Sequence, residues 1–281
     1  MTYRTGQHGF FARNRRIFSG LLSAFSLKSQ FFAAAFASAT LAVSAGSTND
    51  VLEAESDIEM PKIEASVNYR TSKIEYGMVE NDESVFGYEV EIEWYGLFGG
   101  FEACHDLTDV NERRGLFNEI ESFLGYGFKW DDFSAKAAYV YKSVFDDDES
   151  DTQEVELELE YETPWVTPFV TLVCDTRERP GALYGVAGIS REWELCDRVS
   201  LVTVGDVGFG NPYHNDWCFE RGRWAFREMH LGAELEIEIC PHVKLVPSID
   251  FYDYFTEAQR NAYDKFNGFV AVAGCRLAVE F

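Results

Sequence analysis

The chain has 281 residues, 46% hydrophobic and 16% aromatic, enough for one large all-β domain without a second. It carries 24 Lys+Arg against 48 Asp+Glu, a net charge of -24, and so acidic a chain repels nucleic acid and other phosphate-rich partners. No run of 18 apolar residues occurs after residue 45, which excludes a helical membrane span from there on.

Residues 1–28 hold Arg4, Arg13, Arg15, Arg16 and Lys28 and no acidic residue. Residues 31–43 form an apolar core, and Val43-Ser44-Ala45 puts small residues where a signal peptidase reads. This pattern predicts a secretory signal peptide over 1–45, cleaved after Ala45. An uncleaved anchor would need a longer apolar run, and a lipoprotein would need a Cys at the cut. Cleavage removes five basic residues and no acidic one, leaving 19 Lys+Arg against 48 Asp+Glu, a net of -29. Residues 46–61 are polar and acidic, end in Pro61, and read as a flexible lead-in to a folded domain at 62–281.

From Lys62 onward the dominant period is two. Phe86, Tyr88, Val90, Ile92 and Trp94 alternate with Gly87, Glu89, Glu91 and Glu93. Val155, Leu157, Leu159 and Tyr161 alternate with Glu154, Glu156, Glu158, Glu160 and Glu162. Leu231, Ala233, Leu235, Ile237 and Ile239 alternate with Gly232, Glu234, Glu236 and Glu238. Successive strand side chains point to opposite faces, so each segment has one apolar and one charged face. Such segments predict strands at 62–79, 84–95, 98–105, 116–130, 133–144, 153–163, 166–174, 181–193, 198–208, 226–240, 243–255 and 267–281, twelve in all. In the first, parity slips between Tyr69 and Ile74, which suggests a bulge.

Connections alternate in length. Short ones fall at 95–98, 130–133, 163–166, 195–199 and 240–243; longer polar ones fall at 106–115, 145–152, 175–180, 209–225 and 256–266. Aromatic residues gather at strand ends. Trp94, Tyr95, Phe98, Phe128, Trp130, Phe133, Tyr161, Trp165 and Trp193 stand at the short turns. Phe145, Tyr184, Phe209, Trp224, Phe226, Phe255 and Phe266 stand at the opposite ends. Sorted loops and two aromatic girdles belong to a barrel that crosses a membrane with its strands.

The last segment places Phe269, Ala271, Ala273, Cys275, Leu277, Val279 and Phe281 on one face. A terminal strand of this kind, with Phe281 as its last residue, resembles the assembly signal of bacterial outer-membrane β-barrel proteins. Residues 64–105 and the general layout look like uncharacterised porin-like barrels of similar size. The resemblance covers the export signal, the strand repeat and the final residue. It implies a single antiparallel transmembrane β-barrel of about 12 strands, with N and C termini periplasmic, in the bacterial outer membrane. The implied partners are outer-membrane lipids, the barrel assembly machinery and small cations or solutes, with no nucleic acid.

Turned inside out, the same alternation would give a soluble β-sandwich or lipocalin-like barrel. Export, loop sorting, the girdles and the final Phe favour the membrane. Pro168 and Pro247, within strands on the apolar face, sit awkwardly with both.

If apolar residues face lipid, then Glu89, Glu91, Glu93, Glu121, Glu154, Glu156, Glu158, Glu160, Glu234, Glu236 and Glu238 line the lumen. Lys136, Lys142 and Lys244 lie beside them and predict ladders of opposite charge, worth about 0.2–1 kcal/mol per pair. Carboxylates in excess of these lysines attract cations. The expected function is a passive cation-preferring pore for ions or small solutes. The alternative is a non-conducting barrel acting through the loops at 209–225 and 256–266.

Catalysis is not expected. His8 lies in the signal, His105-Asp106 at a strand end, and His214 and His230 in and after the longest loop. Neither a Ser–His pair nor a grouping of His105, His214 and Asp216 has a spacing that marks it. The six cysteines, Cys104, Cys174, Cys196, Cys218, Cys240 and Cys275, have irregular spacing and no CxxC, so they read as small apolar residues and no metal site is expected. The glycines at 205, 208 and 210 lack a nucleotide-binding context, and the acidic stretch at 146–151 lacks the ligand spacing of a calcium loop, so no cofactor is expected.

Overall fold

A computed structural model of the chain describes residues 60–109, 114–145, 150–219, 222–255 and 269–281. The signal at 1–45, nearly all of the lead-in, most of the acidic stretch at 146–151, the loop at 256–266 and Phe266 lie outside the described residues.

The described residues contain fourteen strands and one helix. They are β1 (Lys62–Arg70), β2 (Lys73–Glu75), β3 (Met78–Asn81), β4 (Val85–Trp94), β5 (Leu97–Asp106), β6 (Phe117–Trp130) and β7 (Phe133–Val144). Then follow β8 (Thr152–Tyr161), β9 (Thr167–Asp175), β10 (Leu183–Cys196), β11 (Val199–Gly210), α1 (Pro212–Phe219), β12 (Ala225–Cys240), β13 (Val243–Tyr254) and β14 (Phe269–Glu280). Twelve of the strands form one closed antiparallel barrel, and β2 with β3 forms a separate two-stranded sheet. β1 closes the ring by pairing with β14 on one side, Ala65 opposite Val279, and with β4 on the other, Ala65 opposite Val90.

The alternation in the sequence fixes which face is which. Ile92, Leu124, Val155, Ile189, Leu231 and Ile249 all stand exposed on the outside, while Glu154 and Glu119 are buried on the inside. A soluble barrel would reverse this arrangement. An apolar outer wall around a charged interior is the pattern of a barrel in lipid. Trp94, Tyr95, Phe128, Trp130, Trp165 and Trp193 are exposed at the short-turn end, and Trp224, Phe226, Phe255 and Phe269 at the other. Two expected girdle members turn inward instead. Tyr184 is buried in the lumen, and Phe98 packs inside against Phe123 with 6.3 Å between ring centres. Phe98 covers Gly125, a position with no room for a Cβ, and that vacancy draws the ring inward.

The predicted first strand, 62–79, is a correction. β1 ends at Arg70, where Arg70 pairs with Val85. The parity slip between Tyr69 and Ile74 marks the end of a strand and the start of a hairpin, not a bulge. The two strand prolines are also explained. Pro168 lies one residue past the last β8–β9 pair, Glu160 with Phe169. Pro247 falls where the β12–β13 ladder skips from Glu234–Ser248 to Ile237–Leu245, so no ladder bond awaits its missing N–H.

Candidate functional site

The interior is built from the acidic faces of the strands. Along β4, β6, β8, β12 and β13 the glutamates and lysines alternate with the exposed Ile92, Leu124, Val155, Leu231 and Ile249, on the face that holds the buried Glu119 and Glu154. Across four strands Glu89 stands opposite Glu102, Glu102 opposite Glu121, and Glu121 opposite Lys142. Three carboxylates side by side repel, and the Lys142 ammonium, 2.9 Å from Glu121, relieves the row at one end. Lys244 Nζ lies 3.2 Å from Glu236. Lys136 stands cross-strand from Glu158 with its ammonium 5.8 Å over the Phe98 ring. Glu102 and Glu119 belong to the same wall but escaped the sequence reading. Counting parity along β5 and β6 from the exposed Leu97 and Leu124 would have placed both inside.

Across this lumen lies the β2–β3 hairpin. Tyr76 and Gly77 both have positive φ, 47° and 67°, the backbone of a two-residue type I′ turn that favours glycine in its second place. One side of the hairpin is apolar: Ile74 and Val79 pack on Tyr254, Val270 and Val272 of β13 and β14. The other side is ionic. Lys73 Nζ sits 2.8 Å from Glu75, 2.6 Å from Glu80, and against Glu119 of β6. Lys142 of β7 contacts Glu75 and lies 4.9 Å over the Tyr76 ring. In the ring order, β13 and β14 stand across the barrel from β6 and β7, so the hairpin spans the bore. Its tip reaches further still. Tyr76 donates its hydroxyl hydrogen bond to Glu154 of β8, and its ring lies 5.5 Å from Tyr184. Burial beside Glu154 raises the Tyr76 hydroxyl well above the ordinary tyrosine range, so it remains a donor. Oxygens of Glu75, Glu80 and Glu119 all lie within 4.8 Å of one another, a spacing that could hold a metal ion, but the Lys73 ammonium already supplies the positive charge there.

Helix α1 closes the same end from the β11–β12 connection. Asn211 caps it, accepting from the His214 N–H at 2.9 Å, and Pro212 takes the first helical position, where a missing N–H costs nothing. A bulge in β12 then sets two consecutive side chains inward: between the pairs Val207–Met229 and Phe209–Phe226, both Arg227 and Glu228 face the interior. Arg227 is fully buried and donates to His214 Nε2 and, at 3.3 Å, to Cys218 Sγ. Guanidinium cannot accept, so His214 Nε2 is the acceptor and its proton sits on Nδ1, which bonds the Tyr76 backbone. The imidazole thus ties hairpin, helix and wall together. Tyr184 completes the cluster by donating to Glu228.

His214 lies outside the spanning strands, and burial, with the Arg227 charge beside it, lowers its pKa to about 3. The folded state therefore holds the imidazole neutral. Its contribution to stability is complete above the unfolded value near 6.5 and is lost as pH falls from there toward 3. We expect His214→Gln, which has no proton to gain, to narrow the stability gap to the wild type steadily as pH drops from 7 to 4. Urea unfolding in lipid vesicles at stepped pH checks this; a gap independent of pH would contradict it.

The histidines weighed for chemistry in the sequence are kept apart. His105 stands on the outer face, stacked on Tyr88 at 5.6 Å, while its sequence neighbour Asp106 is buried inside. Asp216 is exposed on α1, away from His105 on the outer wall. His230 bridges Asp206 at 2.7 Å and Asp250 at 3.0 Å and stacks on Tyr252 with 4.5 Å between ring centres. Both of its nitrogens are engaged, which leaves none to act as a base. All six cysteines are free thiols; Cys174 and Cys275 point outward as expected, but Cys104 is buried on the lumen side between Glu102 and Asp106.

Solved structures of similar architecture are outer-membrane barrels. The NanC porin matches with a TM-score of 0.46 and 10% identity, over 78% of this chain and 98% of its own. The KdgM porin matches with a TM-score of 0.46 and 8% identity over 78% and 98%. The COG4313 outer membrane channel from Pseudomonas putida F1 matches with a TM-score of 0.46 and 10% identity over 82% and 100%. No protein-family model matches this sequence, and no curated protein does.

Proposed function

We propose that the mature chain is an outer-membrane pore that passes ions or small solutes and prefers cations. The observation that carries this reading is the carboxylate row Glu89–Glu102–Glu121 on the inner wall of a closed barrel whose outer wall is apolar. Fixed negative charge in a narrow bore raises the local cation concentration and repels anions. Both chain ends of the barrel lie with the short turns, so this reading puts those turns and the termini in the periplasm and the hairpin and α1 at the outer mouth. Phe281, exposed at the end of β14, is then available to the assembly machinery.

The test is the reversal potential of the refolded mature chain in a planar bilayer under a potassium chloride gradient. The sign expected is that of a cation-selective conductance, and Glu156→Gln with Glu158→Gln should move it toward zero. A reversal potential at or beyond zero on the anion side in the open state would remove the proposed preference. The hairpin across the bore favours one second reading, a barrel that does not conduct and works through its outer loops. Permanent electrical silence of a folded chain is the result that would select it.

A further inference from the structure

We propose that the β2–β3 hairpin is a gate, a strap that shuts the bore when docked and opens it by swinging out about fixed ends at Thr71 and Ser84. This rests on the pore reading above.

The barrel is complete without the hairpin. β1 and β4 pair directly from Lys62–Glu93 to Arg70–Val85, so the residues between them contribute nothing to the β1–β4 ladder. The ends are anchored. The Thr71 N–H donates to the Ala273 carbonyl at 2.9 Å, and Thr71 Oγ1 accepts from the Ala273 N–H at 3.0 Å. On the return, the Leu107 N–H donates to the Ser84 carbonyl at 3.0 Å. Between these fixed points the hairpin has three strand residues on one arm and four on the other. A two-stranded ribbon of that size is marginal by itself, so its position is set by what it docks against.

Its docking is asymmetric. The apolar side, Ile74 and Val79, rests on β13 and β14. The ionic side brings Glu75 and Glu80 toward Glu119 and Glu121 around the ammoniums of Lys73 and Lys142, more carboxylates than cations. Closure therefore gathers like charge as well as opposite charge, and its net gain is a small difference between large terms. The tip is fitted closely. Gly77 has φ 67° and abuts the Glu228 carboxylate, so a side chain there strains the turn and must push that carboxylate aside, which weakens docking. Beside the tip, a cavity of about 460 Å³ lined by Tyr76, Glu154, Asp175, Arg179 and Trp217 gives the strap room to shift. A short element held by a balanced latch, next to open space, has two arrangements available.

Single-channel recording in planar bilayers tests the gate, with heat-modifiable mobility in gels as the check that each chain has folded. The proteins are the wild-type mature chain, a form with 72–83 replaced by a short Gly-Ser turn, Gly77→Val, Lys73→Glu, and Lys73→Glu with Glu119→Lys. The wild type should switch between a low level and a high level that matches the shortened form. Gly77→Val should dwell mostly in the high level. Lys73→Glu should raise the open fraction by about tenfold, the order expected when a coupled charge pair is lost, and Glu119→Lys should reverse that rise. A wild type that conducts steadily at the level of the shortened form overturns the gate and leaves the pore intact. Folded forms that are all silent overturn the pore, and the gate with it. A single low wild-type level that Lys73→Glu and Gly77→Val do not change shows a fixed constriction and overturns the gate.

Discussion

Replacing Arg227 with Met should lower the unfolding free energy of the barrel by about 3–5 kcal/mol, the cost of removing one partner from a buried charge pair. The guanidinium is fully buried, with Glu228 beside it at 4.0 Å and 2% exposed. Without Arg227, Glu228 retains only the Tyr184 hydroxyl as a described hydrogen-bond donor, in a site that water reaches poorly. His214 Nε2 and Cys218 lose their donor in the same step. The charge component can be separated from the packing component. Arg227→Met combined with Glu228→Gln removes both charges and keeps an amide for Tyr184, so it should recover most of the loss. Urea unfolding in phospholipid vesicles reads both values. If the double variant is no more stable than the single one, Arg227 acts by holding α1 through His214, and the ion pair is of minor weight.

The barrel was legible because one rule, alternation every second residue, governs eleven of the twelve wall strands from Val85 onward. Leu124 and Tyr126 outside, Glu119 and Glu121 inside, follow from parity alone. Sorted loop lengths and terminal aromatics then pointed to a barrel that crosses a membrane. The hairpin at Lys73–Asn81 was not legible, because Lys73, Glu75 and Val79 continue a plausible strand pattern and the turn Tyr76-Gly77 is only one weak break. What lifts it off the wall is tertiary: β1 and β4 already satisfy each other, so the extra residues have no strand to pair with. The mouth cluster was hidden for a different reason. Arg227 and Glu228 are adjacent, and adjacent residues on a regular strand face opposite ways; only the bulge opposite Gly208 brings both inside. Bulges leave little trace in a single sequence. Helix α1 has a trace that was passed over, the Asn211-Pro212 pair, which is an N-cap followed by a first-turn proline.

The outward face makes the sharpest distinction between a barrel in lipid and one in water. Leu124 lies near the middle of β6, opposite Gly99 and Tyr139, with 60% of its surface exposed. In water an exposed Leu→Arg change on a strand falls within about 0.5 kcal/mol of neutral. At the midplane of a bilayer the same change costs about 2–4 kcal/mol, because the guanidinium must either lose its hydration or pull water and headgroups toward it. Leu124→Arg should therefore destabilise the protein by about 2–4 kcal/mol in phospholipid vesicles. The position of the penalty matters as much as its size. Trp130→Arg, on the same face at the girdle, places the charge at headgroup level, where the cost falls to about 0–1 kcal/mol. A loss that falls steadily from 124 to 130 along β6 is the profile of a hydrocarbon slab. Equal small effects at both positions would mean that this face meets water, and the lumen of carboxylates would then have to be explained without a membrane around it.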